Sequence, residues 1–416
     1  MSRRNAVTSR RAALTRAGAV MAGAGALGLG AAAVGRHLRE PADLPRTLIN
    51  VTDHGALGDG AADDTPGLQR AIDAAKSTGG TVFLPPGTYR TGRLTLHSGV
   101  HLRGAGGDAT TLTLRTGTNN AIVETAPGAS RFSVRNLTLD GNQAGGDGLR
   151  LNGDDYEVSD VVVFNCRGDG IASRGGTAGP VRISGVRTHN NDGHGINFTG
   201  PARATFVDCL AFENALTGFR LAGESTGAAM LNCHGWGVRQ DISFDLAAPA
   251  VRCVNCYADL NGGTGVRISR NDVQWIGGVV LGANYTGPGG EVGVRFVKGE
   301  RPGEPAGCVI DTKIINCGTA AVDFGADGGF TTIRASLSPP GKGWIGTPAA
   351  STQIDLTYGL ANGKNLVVEP AFDLRVQDAA GRPARGSVRV FARQVNGATQ
   401  LCVAFPSGAI QVLAGA

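Results

Sequence analysis

A short unit that recurs through the middle of the chain constrains its fold more than any other feature. Successive copies begin Asn136-Leu137-Thr138-Leu139, Asp160-Val161-Val162-Val163, Gly185-Val186-Arg187-Thr188, Asp208-Cys209-Leu210-Ala211, Asn232-Cys233 and Asn255-Cys256-Tyr257, with leading residues 24, 25, 23, 24 and 23 apart. Further along, most copies turn through glycine into a second apolar-alternating run. These are Asp147-Gly148-Leu149-Arg150-Leu151, Asp169-Gly170-Ile171, His194-Gly195-Ile196-Asn197-Phe198, Thr217-Gly218-Phe219-Arg220-Leu221 and Thr264-Gly265-Val266-Arg267-Ile268. Each copy holds two or three short strands and cannot bury its own apolar face, so the copies must stack. Helical repeats of this length would show a 3.6-residue period, which is absent. The expected fold is all-β, a single right-handed parallel β-helix.

The composition fits a chain of many tight turns. Of 416 residues 66 are glycine, against a usual ~7%, and the glycine follows no collagen period. The net charge of +5 belongs to the start. Residues 1–46 hold eight arginines against Glu40 and Asp43, which leaves the remainder at −1. Bulk charge therefore offers nothing to a nucleic acid. Arg10-Arg11 ahead of the Ala/Gly-rich stretch Ala17 to Val34 resembles a twin-arginine export signal, with Ala31-Ala32-Ala33 suited to cleavage. So much alanine and glycine makes a weak membrane anchor. The protein is expected to be secreted, with no stable membrane association.

Three divisions follow: 1–46 as signal and linker, 47–338 as β-helix, and 339–416 as a β-rich cap or tail. Thr65-Pro66 followed by Leu68, Ala71, Ile72 and Ala75 predicts an N-capped amphipathic helix that covers the first coil. Asp63 and Asp64 would serve its cap and dipole. After Ser338-Pro339-Pro340-Gly341 the chain reads as a small meander, with turns at Asn396-Gly397 and Ser407-Gly408. Its eight cysteines include Cys209, Cys233 and Cys256 at the repeat period, which predicts stacked free thiols. Cys253 and Cys256 have no second Cys/His pair at zinc spacing, so no metal is expected.

With Leu149, Ile171, Ile196, Phe219 and Val266 facing inward, Arg150, Ala172, Asn197, Arg220 and Arg267 face outward in one row, and Arg295 continues it. Asp147, Asp169, His194, Thr217 and Thr264 stand just before the strand glycines. Adjacent coils lie ~4.8 Å apart, so two carboxylates, an imidazole and several guanidiniums share a groove. Arginine binds carboxylates in a fork, and Asp and His move protons. The same Asp-Gly steps are also ordinary turn formers, which leaves a purely conformational role open for Asp147 and Asp169.

The stretch Val51 to Thr65, the helix after it, and Gly79-Gly80-Thr81-Val82-Phe83-Leu84-Pro85-Pro86-Gly87-Thr88-Tyr89 together resemble the opening of the pectate-lyase superfamily. The resemblance covers 48–335 as architecture and 51–104 as motif. It implies a β-helix that acts on or binds polysaccharide, and the fold alone does not select the reaction. The row is similar to a polygalacturonase site, with Asp147, Asp169, Gly193-His194-Gly195-Ile196 and Gly218-Phe219-Arg220-Leu221 on the family's motifs. Two positions depart: the family's general acid is Gly168 here, and its Lys is Ala222. Alginate epimerases carry a Tyr-Gly-Phe-Asp-Pro-His segment, where this chain has Asp169-Gly170-Ile171-Ala172-Ser173-Arg174 and so lacks the Tyr, Asp and His; epimerisation is therefore not expected.

These readings predict a glycoside hydrolase on a uronic-acid-containing polysaccharide. Asp147 and Asp169 would share the acid and base roles, His194 would orient them, and Arg150, Asn197, Arg220 and Arg267 would bind substrate. One alternative is a non-catalytic glycan-binding or phage-spike-like β-helix, monomeric or homotrimeric. The other is a β-eliminating lyase, the one case that calls for calcium; no other cofactor is expected.

Overall fold

The corner residues of the repeat explain why the chain coils. Asn136, Asp160, Gly185, Asp208, Asn232 and Asn255, the leading residues of the six copies, all adopt left-handed backbone, with φ between 53° and 61°. Asn, Asp and Gly reach that region at least cost, so each copy bends at its first residue. In this computed structural model the described residues are 47–358 and 389–415, apart from 177–178, 201, 260–261, 283–290, 339–341, 396–397 and 406. The export signal and its cleavage site, residues 339–341 of the proline-containing break, and the Asn396-Gly397 turn lie outside them.

The strands form one parallel solenoid of about 11 turns. One face is built from strand pairs on either side of each corner, such as Val181–Ser184 and Arg187–His189, which stack on Thr205–Val207 and Leu210–Phe212. The second face stacks Ile171–Arg174, Ile196–Phe198, Thr217–Ala222, Ile242–Ala247, Thr264–Ile268 and Val292–Phe296 in parallel register. Parallel pairing continues past the expected boundary at 338, through Lys342–Gly346 and Gln353–Tyr358.

Alternation puts Leu149, Ile171, Ile196, Phe219, Phe244 and Val266 wholly inside, where the Phe219 and Phe244 rings stack at 4.9 Å. Glycine at this step of most second-face strands is there for space. A Cβ on Gly148 would come 2.1 Å from Val163, and one on Gly195 would come 2.6 Å from the Gly218 carbonyl. Amide ladders run coil to coil. Asn255 donates to Asn232 (2.9 Å) and Asn232 to Asp208 (3.1 Å), while buried Asn191 donates to Asn214 (2.9 Å). On the outer side Phe164, His189, Phe212 and Trp236 stack at 5.1, 4.7 and 4.3 Å.

All eight cysteines are free and buried, with Cys233 in side-chain contact with both Cys209 and Cys256. Burial pushes the Cys308 and Cys317 thiols up to about 12. Those two thiols are neither accessible nor ionised near neutrality, and in the 209–256 stack burial alone denies a reagent access. A mass-tagging thiol reagent is thus expected to leave the native protein unlabelled and to modify it fully in denaturant. Rapid native labelling of any Cys in the 209–256 stack would contradict the packing.

The predicted helix is Thr65–Lys76, with Leu68, Ala71, Ile72 and Ala75 buried. It packs on Leu48–Asn50, Gly80–Leu84, Leu94–Leu96 and Val100–Gly104, against the first coils. Its start matches the expectation at Asp63, whose Oδ1 accepts the Thr65 amide at 3.1 Å, and differs at Asp64. The N-cap position is Asp64, whose side chain does not cap the helix but accepts the Leu57 and Gly58 amides at 2.6 and 3.3 Å. Thr65 instead accepts the Gly92 amide at 2.7 Å and so ties the helix to the bend between Gly87–Thr91 and Leu94–Leu96. At the other end Arg389–Val395, Ala398–Ala404 and Ile410–Gly415 form an antiparallel three-stranded meander.

Candidate functional site

The second face carries the outward row. Its register runs Glu124, Arg150, Ala172, Asn197, Arg220, Asp245, Arg267, Arg295, Asp323, one residue per coil. The predicted side chains therefore do share one wall. They fall into two groups, because the small, buried Ala172 separates Arg150 from Asn197.

Asp147 and Asp169 are inner braces of this wall. Asp147 Oδ1 accepts the Asp169 amide at 2.9 Å, and its Oδ2 accepts Arg150 Nε at 2.9 Å. Asp169 repeats the pattern one coil on: Oδ1 accepts the His194 amide at 2.8 Å and Oδ2 the Asn197 side chain at 2.8 Å. Each carboxylate thus has both oxygens engaged, and both residues are buried. Gly168 is closed to an acid as well. A Cβ there would lie 2.2 Å from Asp147 Oδ1 and 2.9 Å from the Gly146 carbonyl.

His194 is the half-buried member of the group, and its Nδ1 has no hydrogen-bond partner among the described residues. Burial pulls its pKa below 6.5. The Asp169 charge opposes that shift, Arg220 adds to it, and the weaker effects of Asp245 and Arg267 follow with opposite signs. Near neutrality the imidazole is uncharged and able to accept a proton.

Sequence reasoning missed the residue that organises the arginines. Asp245 is 1% exposed and takes Arg267 in a fork, Nε at 2.9 Å and Nη2 at 2.7 Å. Arg220 lies on its other side at 3.5 Å and gives its closer bond, 3.0 Å, to Asn197 Oδ1. Ser243 occupies the glycine position of this coil, as Phe219 pairs with Phe244 and Arg220 with Asp245. A search keyed to glycine passes over it. The phase of Ile242-Ser243-Phe244-Asp245-Leu246 against Thr217-Gly218-Phe219-Arg220-Leu221 would have revealed it. Glu124 and Asp323, at the ends of the row, were missed too. They pair with Arg150 (3.8 Å) and Arg295 (3.1 Å) respectively.

Among the described residues no three His, Cys, Asp or Glu side chains converge as a metal site, and no helix is long and apolar enough to cross a membrane.

Residues 48–243 match the family model described as rhamnogalacturonase A/epimerase, pectate lyase-like. Mannuronan C5-epimerase AlgE4 of Azotobacter vinelandii is 37% identical over 185 residues, 41% of this chain and 31% of the relative. Alginate lyase 7 of the same organism is 34% identical over 197 residues, 44% of this chain and 22% of the relative. This chain thus matches less than a third of the length of either. The A-module of mannuronan C5-epimerase AlgE6 of Azotobacter vinelandii has the same fold, with a TM-score of 0.60 at 23% identity over 76% of this chain and 100% of the module. Solenoid, family model and relatives together place the chain in the pectate-lyase-like superfamily of parallel β-helix proteins.

Proposed function

We propose that the chain acts on a uronic-acid-containing polysaccharide by taking the proton from the sugar carbon that bears the carboxylate. Arg220 and Asn197 hold that carboxylate and His194 is the base. The observation that carries this reading is an uncharged imidazole beside the one arginine of the row whose carboxylate partner is already taken by another arginine.

The chemistry balances at the wall. The C–H pair moves toward the carboxylate as His194 takes the proton, and Arg220 stabilises the charge that builds on the carboxylate oxygens. The resulting anion has two exits. A proton delivered by solvent water to the opposite side inverts the centre, and expulsion of the neighbouring glycosidic oxygen, protonated by the His194 imidazolium or by water, leaves an unsaturated sugar. The epimerase and lyase names of the relatives correspond to these two exits. Hydrolysis gains less support, because Asp147 and Asp169 are committed to the wall and position 168 has no room for an acid.

Arg220→Ala tests the reading. It removes a charge-assisted contact of about 1.5–3 kcal/mol, so binding or kcat/KM on an acidic polysaccharide should fall by roughly 10- to 150-fold. Assays with and without calcium should show the same ratio. An unchanged kcat/KM would rule out Arg220 as the carboxylate holder.

A further inference from the structure

We infer that the polymer taken by this face carries its carboxylates sparsely, a single uronate flanked by neutral sugars, rather than one on every sugar. The inference rests on the reading of Arg220 and His194 above and adds the substrate class.

It follows from how charge is distributed along the row. Three of its four arginines are already matched: Arg150 to Asp147 at 2.9 Å, Arg267 to Asp245 at 2.7 Å and Arg295 to Asp323 at 3.1 Å. A substrate carboxylate placed on any of those rungs meets a neutralised guanidinium and a protein carboxylate that repels it. Arg220 differs, with Asp245 at 3.5 Å and neutral Asn197 at 3.0 Å. Beyond the row, Arg167 and Arg174 are exposed on the coil before His194, so beside this row added positive charge lies near the His194 coil. In the turns Arg239 is matched to Asp192 at 2.7 Å. A polyuronate laid along the solenoid would bring a carboxylate near nearly every coil, at a rung spacing of ~4.8 Å, and most would face acids. A chain with one uronate among neutral sugars places its charge at His194 and its neutral units over the matched pairs.

Titration calorimetry on the full protein decides this, with three sets of oligosaccharides of equal length. One has a uronate on every sugar, one has a single uronate among neutral sugars, and one is wholly neutral. The singly charged set is expected to bind at least tenfold more tightly than the all-uronate set, with a log–log salt slope near that of one ion pair. Asp323→Asn, which unmatches Arg295 at a part-exposed position, is expected to raise all-uronate affinity severalfold. All-uronate binding as tight as the singly charged set, or no gain in Asp323→Asn, would overturn the inference while leaving Arg220 as a carboxylate holder. Equal binding of all three sets would overturn the proposed function and this inference with it.

Discussion

Asp245→Ala is expected to melt several degrees below the parent chain, for a loss of roughly 2–4 kcal/mol. Breaking a buried ion pair by removing one partner costs about 3–5 kcal/mol when the survivor stays buried. Here the survivors are 37% and 32% exposed at Arg267 and Arg220, so water recovers part of that loss and the lower end applies. The carboxylate itself is 1% exposed, accepts two hydrogen bonds from Arg267 and pairs with Arg220 at 3.5 Å, so it links three coils. Its removal leaves a small cavity as well as two adjacent like charges. Because stacked repeats exchange stability with their neighbours, the effect should spread to adjacent coils. Hydrogen exchange would show this as faster opening at 217–222 and 264–268 than at 94–114. Melting and exchange indistinguishable from the parent would mean that the Arg220–Asp245–Arg267 network adds nothing to the wall.

His194→Gln carries the larger functional effect. Loss of a positioned base is worth about 10²–10⁴ in rate, and His194 Nδ1 has no hydrogen-bond partner among the described residues whose loss would weaken the fold, so kcat should collapse while melting stays within a degree or two. The pH dependence has a definite sign. Burial comes first, Arg220 acts with it and Asp169 against it, so the folded pKa lies below 6.5. The neutral, active form then persists as pH falls through 6.5, and the acid limb of kcat/KM lies lower still. Linkage runs the same way: the stability tied to the neutral imidazole is present above the unfolded pKa and is lost as pH falls through the folded one. Removing the Arg220 charge should move the limb upward. A limb above 6.5, or a His194→Gln chain of full activity, would contradict the base assignment.

The fold was legible because its repeat is written in backbone conformation. A residue at the corner must tolerate positive φ, so Asn, Asp or Gly returns at each coil, and all six leading residues prove to be left-handed. The buried thiols were legible for a related reason: the position after the corner always points inward, as it does at Cys209, Cys233 and Cys256. The row of outward residues followed from alternation, down to Arg295 beneath Arg267. What spacing could not separate was turn chemistry from catalysis. The Asp-Gly step that would place an acid in a groove also places an oxygen on the next coil's amide, and hydrogen bonding takes Asp147 and Asp169 into the second role. Asp245 stayed hidden because a serine stood where the other coils have glycine. Asp64 was expected to serve the helix and braces a neighbouring turn instead, its carboxylate engaged by the Leu57 and Gly58 amides.

The central claim is proton removal from the carboxylate-bearing carbon at His194. It is tested most directly by incubating the protein with an acidic polysaccharide in deuterated water and examining the products by mass spectrometry and ultraviolet absorbance together. Either deuterium bound at that carbon or new unsaturated sugar ends are expected, both lost in His194→Gln. New saturated reducing ends, with no deuterium at that carbon and no unsaturation, would contradict it and return the wall to hydrolysis.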